Sequence, residues 1–122
     1  MLTERLGDSP FAGLWEFPGG KIRDRETAPE ALRRELLEEL GITIELFEYL
    51  MSVNHHYPDR HVAIDFYIVR QWQSNPRGLE GQALRWEVPE SLGDAEVLPA
   101  DVPVLQALRA DPIRPADKIR KY

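Results

Sequence analysis

The sequence predicts a single domain of mixed α/β or α+β class. Three observations carry this: a capped amphipathic helix over 28–40, an alternating strand from His61 to Trp72, and a second short amphipathic helix over 101–110, with strand-like stretches interspersed. The 122 residues are one domain's length, enough to bury a core without a disulfide or metal staple. The expected domain covers 1–110, and two prolines and mixed charge beyond Asp111 read as a loose tail over 111–122.

Residues 1–6 read as a short strand, and Gly7, Asp8, Pro10 and Gly13 mark a loop. Trp15-Glu16-Phe17 reads as a strand stopped by Pro18-Gly19-Gly20. Thr27-Ala28-Pro29-Glu30 is a capping box with proline in the first turn, where no N–H partner is needed. Gly41 suits the left-handed position after the helix. At 100° per residue, Leu32, Leu36, Leu37 and Leu40 share one arc, and Glu35, Glu38 and Glu39 share the adjoining one. Residues 42–53 are strand-like in parts. In the next strand Val62, Ile64, Phe66 and Ile68 alternate with Ala63, Asp65, Tyr67 and Val69. Ser74 to Gly78 is a turn, Ala83 to Val88 a return strand, and Asp101 a plausible N-cap for the last helix, with Pro103 in its first turn. Phe66, Tyr67 and Trp72 read as core or sheet-face residues.

Composition excludes several functions. There is no cysteine, so disulfide frameworks, thiolate zinc sites and cysteine nucleophiles are out. No apolar run reaches the ~20 residues that span a bilayer, and Met1 to Arg5 has no signal-peptide pattern, so the expectation is a cytoplasmic protein without membrane contact. The net charge of −6 argues against coating polymeric nucleic acid. His55, His56 and His61 match no zinc spacing.

The charge is unevenly placed. Residues 26–48 hold seven acids and two arginines, a net −5, while 109–122 carry a net +3. Glu35, Glu38 and Glu39, at i, i+3 and i+4, repel one another by several tenths of a kcal/mol per pair unless cations lie between them. Such a set is either a solvated face or a site for Mg²⁺ or Mn²⁺, which take oxygen ligands. Gly19-Gly20 permits close backbone approach. Arg34 is placed to orient Glu35 and to pair with Glu26.

Gly20, five residues, Glu26, seven residues, then Arg34-Glu35-Leu36-Leu37-Glu38-Glu39-Leu40-Gly41-Ile42 resembles the Nudix box at every position. Gly13 to Lys21, Tyr57-Pro58-Asp59-Arg60-His61, Glu80-Gly81-Gln82 and Leu98-Pro99-Ala100-Asp101 resemble the MutT-like branch of that superfamily. The similarity runs over roughly 1–109. It implies an α/β/α sandwich around a mixed sheet. Met1 to Arg5 aligns with the family's second strand, so the expectation is a chain that starts one strand late.

The resemblance also implies an activity: hydrolysis of a nucleoside triphosphate to the monophosphate and pyrophosphate, by water attack with Mg²⁺ (or Mn²⁺) offsetting charge. 8-Oxo-dGTP is the expected substrate, cleared from the nucleotide pool to prevent mutation. A cytosine nucleotide is the alternative substrate, and a non-catalytic nucleotide-binding module the alternative from another class. By similarity Glu35, Glu38, Glu39 and Glu80 hold metal, with the Gly19 carbonyl as a further ligand. Glu35 or Glu80 is the general base. Arg34 supports them. Lys21 and Arg60 are candidates for phosphate contacts, Arg5 and Phe17 for the base. Asp101 stands where the branch's best-known pattern has Asn, and an ionised Asp accepts only, whereas an Asn amide also donates. The partner is the nucleotide, and the chain is expected to be a monomer or homodimer.

Overall fold

The computed structural model describes residues 1–7 and 10–110. The expected tail over 111–122 lies outside them. Two antiparallel ladders and two helices make up the architecture. β1 (Leu2–Glu4) is central to the first ladder, pairing with β2 (Trp15–Glu16) through Thr3↔Glu16 and with β5 (Leu84–Arg85) through Thr3↔Leu84. The second is a long hairpin of β3 (Thr43–Tyr57) and β4 (Arg60–Gln73). Among the described residues all strand pairings are antiparallel, where a mixed sheet is expected from sequence; Trp15 adds one isolated parallel bridge to Val97, which lies outside the strands. The expected single sheet is thus two ladders, with no strand joining β1 to β3 among the described residues. The return strand is shorter than its sequence pattern: Leu84 and Arg85 pair with β1, and the Ala83 carbonyl accepts from the Glu4 N–H at 3.0 Å.

Helix α1 (Ala28–Leu40) forms where its caps say it should. Thr27 accepts from the Glu30 N–H at 3.2 Å, and Glu30 accepts from the Thr27 N–H at 2.9 Å. Gly41 takes φ 70°, and its N–H returns to the Leu37 carbonyl at 3.0 Å. Ala31, Leu36 and Leu40 are buried, and Leu36 and Leu40 pack with Ile42 and Ile44. Each such leucine contributes about 1.5–3 kcal/mol by leaving water. Leu37 departs from the expected stripe and is exposed. It stands one 100° step from Leu36, on the flank that the sheet does not cover.

The hairpin is covered on both faces. Phe47, Val69 and Trp72 pack against the α1 cluster, while Val53, Ile64 and Phe66 pack with Val104 and Leu108 of α2 (Val102–Ala110). Phe66 and Val69 are three apart on one strand, so they point to opposite sides, and the layers run helix, sheet, helix. Bulges at Glu45 and Leu50 of β3 and at Arg70 of β4 reset the alternation, which is how Val69 and Trp72 reach the same face. A third cluster of Leu2, Leu92, Val97 and Leu105 seats β1 beneath α2.

A turn of 3₁₀ helix, Pro99–Asp101, precedes α2. The N-cap expected of Asp101 is not its role: its carboxylate accepts instead from the Phe17 N–H at 3.1 Å. Burial explains this, since a carboxylate 4 % exposed takes the nearest unpaired backbone donor. Among the described residues no helix is long and apolar enough to cross a membrane.

Replacing Thr27 by Ala removes one side of the capping box. Urea unfolding should show a loss of about 1 kcal/mol, and an unchanged midpoint would mean that the cap carries no stability.

Candidate active site

The segment between β2 and α1 is folded onto the helix by Arg34. Its Nε and Nη2 donate to Glu26 at 2.7 and 2.9 Å, Nη1 to Glu35 at 2.6 Å and Glu38 at 3.4 Å, and Nη2 also to the Lys21 carbonyl at 2.9 Å. Hydrogen bonds from Arg34, then from the Arg23 N–H, lower the Glu26 carboxyl to about 2. Glu35 is thereby pressed onto Gly20. A Cβ at Gly20 would lie 2.3 Å from its carboxyl carbon, so no other residue leaves Glu35 where it is.

One turn on, Glu39 faces Glu35. Burial, followed by a hydrogen bond to Glu35 and the charges of Glu35 and Glu80, pushes the Glu39 carboxyl up to about 8, while a backbone hydrogen bond from Gly19 pulls the other way. Gly19 holds φ 155°, where other residues rarely go. Three glutamates from two segments therefore converge, and like-charged neighbours are what a cation would relieve. Glu38 does not join them here: its carboxylate is taken by Arg34 and, at 3.8 Å, by Arg23. Among the described residues no three such groups close a metal shell as they stand. The donor chemistry, all carboxylate oxygen, is that of a hard divalent cation.

An open cleft with room for about 210 Å³ of solvent runs from this cluster to β1. Gly19, Glu39, Glu80 and Gln82 line it together with Thr3, Arg5 and Glu16, whereas Phe17 and Asp101 do not. Arg5 Nη1 donates to both Glu16 oxygens at 3.3 and 3.4 Å. Burial raises the Glu16 carboxyl above the usual range, against the pull of Arg5. Asp101 is near enough to feel Glu16 and Arg5, and burial drives its carboxyl up to about 7.

A NUDIX domain family model matches residues 1–108. This chain belongs to the Nudix family. It is 39% identical over 109 residues to the 8-oxo-dGTP diphosphatase of Escherichia coli, covering 89% of this chain and 84% of that protein. It is equally 39% identical, over 118 residues, to the CTP pyrophosphohydrolase of the same organism, covering 96% and 87%. The crystal structure of the MutT NUDIX hydrolase from Burkholderia pseudomallei superposes with a TM-score of 0.77 at 30% identity, over 86% of this chain and 84% of that one. The protein is accordingly a Nudix hydrolase of MutT-like type, with the Nudix fold.

The structure brings together five of the residues singled out from sequence, Gly19, Arg34, Glu35, Glu39 and Glu80, and places Arg5 in the lining of the same cleft as Gly19, Glu39 and Glu80. Lys21 and Arg60 do not line that cleft. Lys21 is exposed and offers its carbonyl to Arg34, and Arg60 lies over the Tyr57 ring at 5.5 Å, at the hairpin tip. Phe17 packs edge-on to Phe66 at 6.0 Å, and only its backbone meets Asp101. Glu16 and Gln82 were not singled out. Glu16 lies in a two-residue strand, too short to display alternation, and its cross-strand register with Thr3 is what places it in the wall.

Two measurements follow from this geometry. Gly20→Ala should dislodge Glu35 and cut turnover by about 100-fold with little change in thermal midpoint; wild-type turnover would show that Glu35 need not sit there. Asp101→Asn keeps an acceptor for the Phe17 N–H and removes the titration. A carboxyl raised from 3.8 to about 7 on folding destabilises the wild type progressively across that window and evenly above it. Denaturation at several pH values should therefore show the variant gaining on the wild type from pH 4 to 7, at up to about 1.4 kcal/mol per unit, and a pH-independent difference would contradict the burial.

Proposed function

We propose that this Nudix hydrolase is a divalent-cation-dependent nucleoside triphosphate pyrophosphohydrolase whose preferred substrate is 8-oxo-dGTP. The observation that carries this reading is the continuity of the cleft. The same cleft is lined by the carboxylates Glu39 and Glu80 and by a half-buried donor–acceptor pair, Arg5 and Glu16, which suits a ligand that carries both phosphates and a base edge. The names of the relatives support it: five of the similar curated proteins, four of them at 35–44% identity, are 8-oxo-dGTP diphosphatases.

Glu35, Glu38, Glu39 and Glu80, with the Gly19 carbonyl, are the groups that would hold Mg²⁺ or Mn²⁺. When bound, the cation offsets phosphate charge and lowers the pKa of water. Without it, a triphosphate would be repelled by this end of the cleft. In the reaction, a water oxygen bonds to the β-phosphorus and the bond from that phosphorus to the α–β bridging oxygen breaks. The products are the nucleoside monophosphate and pyrophosphate, and a carboxylate, Glu35 or Glu80, takes the water's proton. Arg34 keeps Glu35 oriented and cannot lose its own proton, since its hydrogen bonds to Glu26 and Glu35 raise its pKa further. Lys21 and Arg60 reach phosphate only if substrate extends beyond the cleft lining.

Arg5 donates to a purine carbonyl, and Glu16 accepts from an adjoining N–H. Asp101 is buried behind the cleft lining and reaches substrate only if the cleft opens toward it; with its pKa near 7, its protonated form would then be a donor, as Asn would. The same carboxyl in its ionised form suits the amino group of cytosine. This, with the 39% identity to a CTP pyrophosphohydrolase, favours a cytosine nucleotide as the second reading. We expect the enzyme to act as a soluble cytoplasmic protein on the free nucleotide pool, protecting DNA from oxidised precursors.

Pyrophosphate release from 8-oxo-dGTP, dGTP and CTP with Mg²⁺ tests the reading. The highest kcat/KM is expected on 8-oxo-dGTP. A higher value on CTP would move the assignment to the second reading, and no turnover on any of the three would overturn both.

A further inference from the structure

Loop 77–82 carries Glu80 across the C-terminal end of α1. It takes up the helix's last carbonyls: the Arg77 N–H donates to the Leu40 carbonyl at 2.9 Å and the Leu79 N–H to the Glu39 carbonyl at 3.0 Å. Gln82 adds a bridge of a different kind. Its side-chain Nε2 donates to the Glu39 carbonyl at 3.2 Å, and its Oε1 accepts from the Glu80 N–H at 2.9 Å. The residue is only 8% exposed. Both partners belong to the main chain of glutamates that line the cleft together, close enough for the charge of Glu80 to act on Glu39. The loop is wound closely around it, for a Cβ at Gly78 would lie 2.0 Å from the Gln82 carbonyl oxygen. A buried polar side chain is tolerated only when both its donor and its acceptor are paired, and only a primary amide offers the two in one planar group at this length.

We infer that Gln82 is a positioning residue: by joining the Glu39 carbonyl to the Glu80 N–H, it sets the separation of the Glu39 and Glu80 carboxylates and so their joint hold on a divalent cation. Gln82 acts through Glu80 and contributes no ligand of its own. The inference rests on the proposal that these carboxylates bind a cation.

Mn²⁺ titration of the full chain, read as loss of the free-ion electron paramagnetic resonance signal, tests it. Thermal unfolding without divalent ions is recorded on the same samples. Gln82→Met fills the volume without either hydrogen bond, and its Mn²⁺ dissociation constant should rise about 10- to 100-fold, the usual cost of losing a group that orients a ligand. Glu80→Ala should weaken binding by at least as much. The double variant should then bind no worse than Glu80→Ala alone, because Gln82 has nothing left to position. Wild-type affinity in Gln82→Met, wild-type affinity in Glu80→Ala, or additive losses in the double variant would each overturn the inference. Should Gln82→Met not fold, Gln82→Asn, too short to reach both partners, runs through the same cycle. Absence of Mn²⁺ binding by the wild type is a separate outcome, which overturns the cation reading itself.

Discussion

Arg34 has five N–H donors, and the structure uses all five. Two go to Glu26, one to Glu35, one to Glu38 and one to the Lys21 carbonyl. No other side chain could make these contacts at once, since a lysine offers three donors from a single point. The consequences reach both ways along the chain. Towards the N-terminus, the loop that begins at Pro18 is drawn down so that Gly20 lies against Glu35. Towards the C-terminus, Glu35 is fixed in the orientation from which it meets Glu39. One guanidinium thus converts a helix with acidic residues on a face into a cluster with a defined shape.

The far side of that cluster depends on the end of the same helix. Gly41 turns the chain away at φ 70°, freeing the Glu39 and Leu40 carbonyls for loop 77–82 rather than for another turn of helix. A helix whose C-terminal carbonyls are capped by the loop that brings in another acidic residue couples fold and site directly. Loss of the last turn would displace Glu80 as well as Glu39. The burial of Leu36 and Leu40 among Ile42, Ile44 and Trp72 is therefore what anchors the chemistry, though none of these side chains approaches the cleft.

Local features were legible in the sequence and non-local ones were not. The Thr27–Glu30 box, the Gly41 cap and the alternation from Val62 to Val69 are all written within a few residues, and each appears as read. The two-ladder arrangement, the bulges at Glu45, Leu50 and Arg70, and the exposure of Leu37 depend on partners distant in sequence. The Nudix box located Glu35, Glu39 and Arg34 because helical spacing fixes their relation. Spacing alone does not reveal that the Glu38 carboxylate also pairs with Arg34 and Arg23, the latter from the loop before the helix. Glu16, Gln82 and the bond from Phe17 to Asp101 come from contacts across β1, α1 and α2, which no spacing within one element reveals.

The same division bears on the base preference proposed for the cleft. The chain is equally identical to relatives named for oxidised guanine and for CTP, so overall identity does not single out one of those two names. At Asp101, buried behind the cleft lining near β1, residue type understates what burial does. Asp in place of Asn ordinarily exchanges a donor and an acceptor for acceptors alone. Here the carboxyl is displaced to about 7, so near neutrality it exists in both forms. Its hydrogen bond from the Phe17 N–H occupies one oxygen in either form, and the other oxygen is a donor when protonated and an acceptor when not. The substitution therefore departs from the Asn pattern less than its formal charge suggests, and the departure grows with pH.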